Sequence, residues 1–161
     1  MARMQTTAEA AFAADPETVF AMLTNKDYLE RLVAAAHPIS SSVEVDGDTT
    51  STTRVLPSPS DAARFTGPEL TVIEKLVWGA AEADGSRTAE VSMVVPKQPV
   101  TMKGVVRLVP GGPGSQVSLT GELKVNVPLL GRKLEQSAAP AVLAAFNDHQ
   151  AVGNAWIAEH A

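Results

Sequence analysis

Three histidines, His37, His149 and His160, are the side chains best suited to proton transfer near neutral pH. None stands at metal-ligand spacing from another histidine or from a nearby carboxylate. The chain has no cysteine, which excludes disulfides, thiolate metal sites and a thiol nucleophile. His37 precedes Pro38 where a helix should end, and reads as a helix-terminal contact. The serines at 40–42 fall in an extended run and read as solvated surface. "LVPGGPGS" is glycine-rich, but no Gly-Lys-Ser/Thr follows and it joins two extended runs, so it is a hairpin turn and not a phosphate loop. No G-x-S-x-G elbow occurs. No catalytic residue, metal or cofactor is assigned on these grounds.

His149 and Glu74 are the two ionisable groups that the patterning turns inward. At ~100° per residue, Val142, Phe146, Val152, Trp156 and Ile157 cluster on one sector of a terminal helix. His149 and Gly153 fall inside that sector, and Asn147, Asp148 and Asn154 outside it. His149 is then a core histidine bonded to a carbonyl or water, or a polar anchor in a ligand cavity. A catalytic base is a third role, for which the sequence spacing names no second group. In "LTVIEKLVWG", Val72, Glu74, Leu76 and Trp78 share one face, and Thr71, Ile73, Lys75 and Val77 the other. Either choice turns a charge inward unless a bulge changes the phase. Trp78 is the larger apolar group and should point inward, which carries Glu74 to a rim. An unpaired buried carboxylate is too costly, so an arginine such as Arg54 should partner it.

The elements that must position these groups follow from period and punctuation. Residues 3–12 alternate as a strand. "DPETVFAML" opens a helix, with Asp15 to cap the first amides, Pro16 at the first turn and Glu17 at the positive helix end. Val19, Phe20 and Leu23 form its buried face. A second short helix runs from Lys26 or Asp27 to about Ala36, with Tyr28, Leu29, Leu32 and Val33 inward. Asp46-Gly47 signals a hairpin. "PSPSDAARFTGPE" is a long loop, and long loops are often lids. Strands are then expected over Leu70–Glu82, Arg87–Val95, Val100–Val109 and Gln116–Val127, each alternating as in an antiparallel sheet with one wet face. Beyond Gly131 the pattern is helical almost to the end, with Pro140 kinking or breaking it. The only cover left for the inner face of the sheet is this helix. The expected fold is therefore α+β: a seven-stranded curved antiparallel sheet wrapped around a long C-terminal helix, with two short helices between strands 1 and 2.

The chain has 161 residues, enough for one domain over 1–161, and 45% of them are hydrophobic. Seven aromatic residues leave the core mostly to Val, Leu, Ala and Met. The net charge of −5, with no block of Lys or Arg, argues against nucleic acid or an anionic membrane as partner. No run approaches a membrane span, and the N-terminal stretch lacks the apolar core of a secretory signal, so a cytoplasmic location is expected. Oligomeric state is not encoded in any pattern found.

The layout, with "DPETVFAMLTN" after the first strand, the hairpins and the long last helix, resembles the START-like or helix-grip (SRPBCC) superfamily, which includes polyketide cyclases and plant pathogenesis-related ligand carriers. "TGPELTVIEKLVW", "GELKVNVPLLGRKLEQ" and "VGNAWIAEH" are more closely similar to an uncharacterised bacterial family of that superfamily, common in high-GC actinobacteria. The resemblance implies a cavity for hydrophobic small molecules between sheet and helix. Its lining would be Trp78, Val91, Met93, Met102, Leu119, Phe146, His149 and Glu74, with Val106 and Leu123 on the same face. Gly104 and Gly121 also point inward, which favours a void or a close helix approach. A filled core would use the same apolar positions. Non-catalytic binding of a lipid or polyketide-like compound is the leading expectation. A cyclase- or aromatase-like enzyme using the same cavity and a filled-core interaction module are the alternatives.

Overall fold

The computed structural model of the chain describes residues 2–58, 67–96, 100–125 and 148–160. The expected kink at Pro140, the start of the terminal helix and most of the loop read as a lid lie outside the described residues.

Strand β1 (Ala2–Phe12) leads into α1 (Pro16–Leu23) and α2 (Lys26–Ala34). Asp15 caps α1 by accepting the Thr18 amide at 3.4 Å, and Pro16 sits in the first turn, where its missing amide hydrogen costs nothing. Asn25 caps α2, accepting from the amides of Asp27 at 2.9 Å and Tyr28 at 3.2 Å. The chain leaves α2 through His37, which adopts a left-handed φ of 51°. Val19, Leu23, Tyr28, Leu29 and Val33 are buried as expected, and Met22 joins them.

Six strands follow: β2 (Ser40–Asp46), β3 (Thr49–Pro57), β4 (Glu69–Trp78), β5 (Arg87–Val94), β6 (Val100–Gly111) and β7 (Gly114–Val125). They form one seven-stranded sheet with β1, in the order β1-β7-β6-β5-β4-β3-β2, every pair antiparallel. The first hairpin turns one residue later than Asp46-Gly47 suggests. Asp46 pairs with Thr49, so the loop is Gly47-Asp48. Gly47 takes φ 59°, the positive angle that a two-residue loop of this kind asks of its first residue. Strand β4 ends at Trp78 and not at Glu82. Residues 79–86 instead form a loop closed by Gly79 N–H to Thr88 O at 2.8 Å and Glu82 N–H to Ser86 O at 2.8 Å. The Asp84 carboxylate accepts the Ser86 amide at 2.9 Å, a bond that lowers its pKa.

Alternation along each strand sends one set of side chains to a common inner face. Trp78, Ala89, Val106, Leu119 and Ala8 lie in one register row across five strands, and all are buried. Ser115 and Phe12 close that end, both with almost no exposure. The last helix, α3 (148–160), lies over this face. Val152, Trp156 and Ile157 pack on the core, and Gly153 is buried against Phe12 and Met22.

Two side-chain amides fix α3 to the edge strand. Asn154 donates to Ala11 O and accepts from Ala13 N–H, both at 2.9 Å, while Gln150 accepts from Ala11 N–H at 2.9 Å. These amides take the Ala11 backbone groups that β1, at the edge of the sheet, would otherwise leave open, and the Ala13 amide just beyond it. Helical angle had set Asn154 outside the apolar sector. That sector ends where the helix meets backbone, so a polar residue is what the contact requires.

Candidate functional site

The inner face carries a polar group toward the end opposite Phe12. One register row runs Val43, Thr52, Glu74, Met93, Met102 and Leu123 across β2 to β7. Arg54, one inner-face step along β3, reaches back so that its Nη2 lies 3.5 Å from Glu74 Oε2. The two side chains keep only 17% and 25% of their exposure, so the pair is largely withdrawn from water. The sequence-derived pairing of Glu74 with Arg54 is what the structure contains. The guanidinium Nε–H is buried with no hydrogen-bond partner among the described residues.

His149 approaches from α3. Some of the residue reaches solvent, yet its imidazole is desolvated. That burial, with the positive charge of Arg54 adding to it, pushes its pKa down to about 4. The ring is therefore neutral at pH 7. Tyr28, fully buried on α2, points its hydroxyl at the His149 carbonyl oxygen at 3.5 Å and packs edge-on against Trp156 with centroids 5.7 Å apart. Burial raises the Tyr28 pKa, so the phenol remains a neutral donor. Tyr28 had been read only as a buried apolar position. Its hydroxyl ties α2 to the His149 backbone, and nothing in the spacing linked it to a helix more than a hundred residues away.

The expected site residues divide between two regions. Glu74, Met93 and Met102 share the row just described, and Val91 lies one row further in, opposite Leu76 and Gly104. Trp78 and Leu119 lie in the densely packed row beyond. Trp78 meets Phe20 edge-on with centroids 5.7 Å apart, and the Arg87 guanidinium covers the Phe20 ring 3.6 Å from its centroid. Phe146 lies outside the described residues. Gly104 does not open space for a ligand or for the helix. A Cβ there would fall 2.3 Å from Thr120 O and 2.6 Å from Gly121 Cα, so the missing side chain admits the backbone of β7. Gly121 differs: its Cβ would meet Met102 Sδ at 3.4 Å.

Among the described residues no cluster of His and carboxylates could hold a metal ion, and no helix is long and apolar enough to cross a membrane. The site thus consists of a cancelled ion pair, a neutral imidazole and an apolar wall containing two methionines.

Residues 7–157 match the family DUF2505, described as a protein of unknown function. The chain belongs to this family. Among curated proteins no match to the chain is found. Solved structures are similar over nearly the whole length. TTHA0849 from Thermus thermophilus has a TM-score of 0.64 at 20% identity, covering 94% of this chain and 98% of that one. A norcoclaurine synthase point mutant from Thalictrum flavum, in complex with a transition-state analogue, has a TM-score of 0.62 at 16% identity, covering 99% and 96%. Protein Ms6760 from Mycobacterium smegmatis has a TM-score of 0.59 at 12% identity, covering 99% and 92%. At these identities the likeness is one of fold: the DUF2505 chain has the helix-grip architecture.

Proposed function

We propose that this DUF2505 protein binds a hydrophobic or amphipathic small molecule, a lipid or polyketide-like compound, between the inner face of the sheet and the C-terminal helix, without transforming it. One observation carries the reading. Leu76 and Met93 point to the inner face beside Glu74, yet both remain only partly buried. In a filled core of this size such positions close completely, as Leu108 and Leu123 do here. A few fixed polar groups set in an apolar wall are also what small-molecule sites use for orientation. Met93 and Met102 give that wall a surface that adapts to irregular shapes.

A cyclase- or aromatase-like reaction in the same space would call on His149 or Glu74. Burial makes the imidazole a weak base, and Glu74 is held by Arg54. Both facts favour holding a ligand over moving its protons. The likeness to norcoclaurine synthase, at 16% identity, carries the fold and not the reaction.

Native mass spectrometry of the protein purified gently from its own host tests the reading, with denaturing extraction alongside. A reproducible added mass, released on denaturation and lost in Gly121→Leu, supports it. A bare mass, together with no saturable uptake across a panel of apolar dyes, overturns it in favour of a filled-core interaction module.

A further inference from the structure

The polar end of the site also specifies what kind of polar group the ligand carries, an inference that rests on the binding reading above. Arg54 and Glu74 offset one another's charge, and His149 is neutral near pH 7. The three titratable groups gathered here therefore sum to no net charge. A ligand carboxylate would add an uncompensated anion beside the Glu74 oxygens in mostly apolar surroundings, which is costly. An ammonium group would meet the Arg54 guanidinium with the Glu74 carboxylate already engaged. A plain hydrocarbon would leave the buried Arg54 Nε–H as it is now, a donor without an acceptor among the described residues. The ion pair itself spans 3.5 Å, longer than the ~2.8 Å of a tight charge-assisted bond, so Glu74 does not saturate the guanidinium.

We propose that the ligand is an uncharged apolar molecule bearing a hydrogen-bond acceptor oxygen, a ketone, ester or amide carbonyl, which accepts a hydrogen bond from the Arg54 guanidinium. Glu74 then acts as a selectivity residue: it keeps Arg54 from recruiting anions.

The test uses four probes of equal chain length, 2-decanone, decane, decanoate and decylamine, competed against the uncharged dye Nile red at pH 7.5. In the wild-type protein 2-decanone should displace the dye at concentrations about tenfold lower than the other three, the effect of one buried bond to a charged donor. Glu74→Gln should reverse the order, with decanoate gaining about tenfold or more. The double variant Arg54→Met/Glu74→Gln, which removes both charges together, should bring 2-decanone level with decane while dye binding persists. Dye binding with no preference for 2-decanone in the wild type, or a preference for decanoate, overturns this inference and leaves the binding reading intact. No binding of the dye or of any probe overturns both. Should either variant fail to fold, the wild-type series alone decides.

Discussion

Gly153 of α3 rests directly on the ring of Phe12. A Cβ at Gly153 would lie 2.3 Å from Phe12 Cε1 and 2.8 Å from Cδ1, with Met22 Cε at 3.1 Å. Phe12 is 1% exposed and closes one end of the inner face, so the ring has little space to retreat into. This contact sets how deeply the helix sits over the sheet, and it explains a glycine in a helix interior, where alanine is intrinsically favoured by ~1 kcal/mol.

Gly153→Ala should therefore destabilise the protein despite the better helix former. Overpacking of this kind costs roughly 1–3 kcal/mol. Urea denaturation followed by circular dichroism reads the effect. A midpoint equal to or above that of the wild type would show that the helix lifts freely.

The amide pair at Asn154 gives a second prediction. Asn154→Leu removes both the donor to Ala11 O and the acceptor for Ala13 N–H. Orphaned backbone groups of this kind cost about 1–3 kcal/mol when water does not replace the bond. Hydrogen exchange at Ala13 should accelerate locally, ahead of amides in the central strands β5 and β6. Uniform acceleration across the sheet would mean that Asn154 supports global stability and not the docking of the helix.

Stability should fall with acid in a window set by His149. The folded protein holds this imidazole at a pKa of about 4, against 6.5 for a free one. Between those values the unfolded chain takes up a proton that the folded state refuses. The contribution is therefore complete above pH 6.5 and is lost as pH drops toward 4, at no more than ~1.4 kcal/mol per pH unit. Comparing His149→Gln with the wild type from pH 7 to pH 4 isolates this effect. Parallel stability curves over that range would contradict it.

Gly104 and Gly121 face one another across β6 and β7 but should respond differently to alanine. At Gly104 the new methyl would strike backbone at 2.3 Å, and the strands must separate. At Gly121 it would meet the flexible thioether of Met102 at 3.4 Å. Gly104→Ala should lower the melting temperature markedly, and Gly121→Ala only slightly. Equal losses would mean that sheet curvature at this point does not depend on Gly104.

Much of this was legible from local chemistry. Asp15 and Pro16 mark the first helix start because capping is a short-range matter, whereas the Asn25 cap of α2 emerged only in the structure. Strict alternation in β5, β6 and β7 assigns the inner face because period 2 leaves no other choice. The inward turn of Trp78 followed from its apolar bulk, and the pairing of Glu74 with Arg54 from the cost of burying a lone carboxylate. What was not legible depends on contacts distant in sequence. Nothing near Asn154 announces the backbone of Ala11, and nothing near Gly104 announces Thr120 O. The end of β4 falls at Trp78, where Gly79-Ala80-Ala81-Glu82, all poor strand formers, already break the β-branched run. Of the two bonds that close this loop, one reaches Thr88 of the next strand and the other Ser86 within the loop itself. Glu74, Met93 and Met102 fell together in one row because register is additive once each hairpin is fixed. The same reasoning did not separate that row from the packed one holding Trp78 and Leu119, since both are equally apolar on paper.

The sheet order has a consequence for synthesis. Strands β2 to β7 each pair with a chain neighbour, but β1 pairs with β7, joining Phe12 to Ser115 and Ala8 to Leu119. Its only partner strand is thus made last. At roughly 5–20 residues per second, the first strand leaves the ribosome and waits on the order of 5–20 s for the strand that will hold it. Through that interval the alanines at 8 and 10 and the ring of Phe12 must stay in solution without their sheet, and the caps of α1 and α2 offer the only local order beside them. The nascent chain is therefore most exposed to chaperones and to its own copies at its beginning, and it becomes a closed unit only after the final hairpin has emerged.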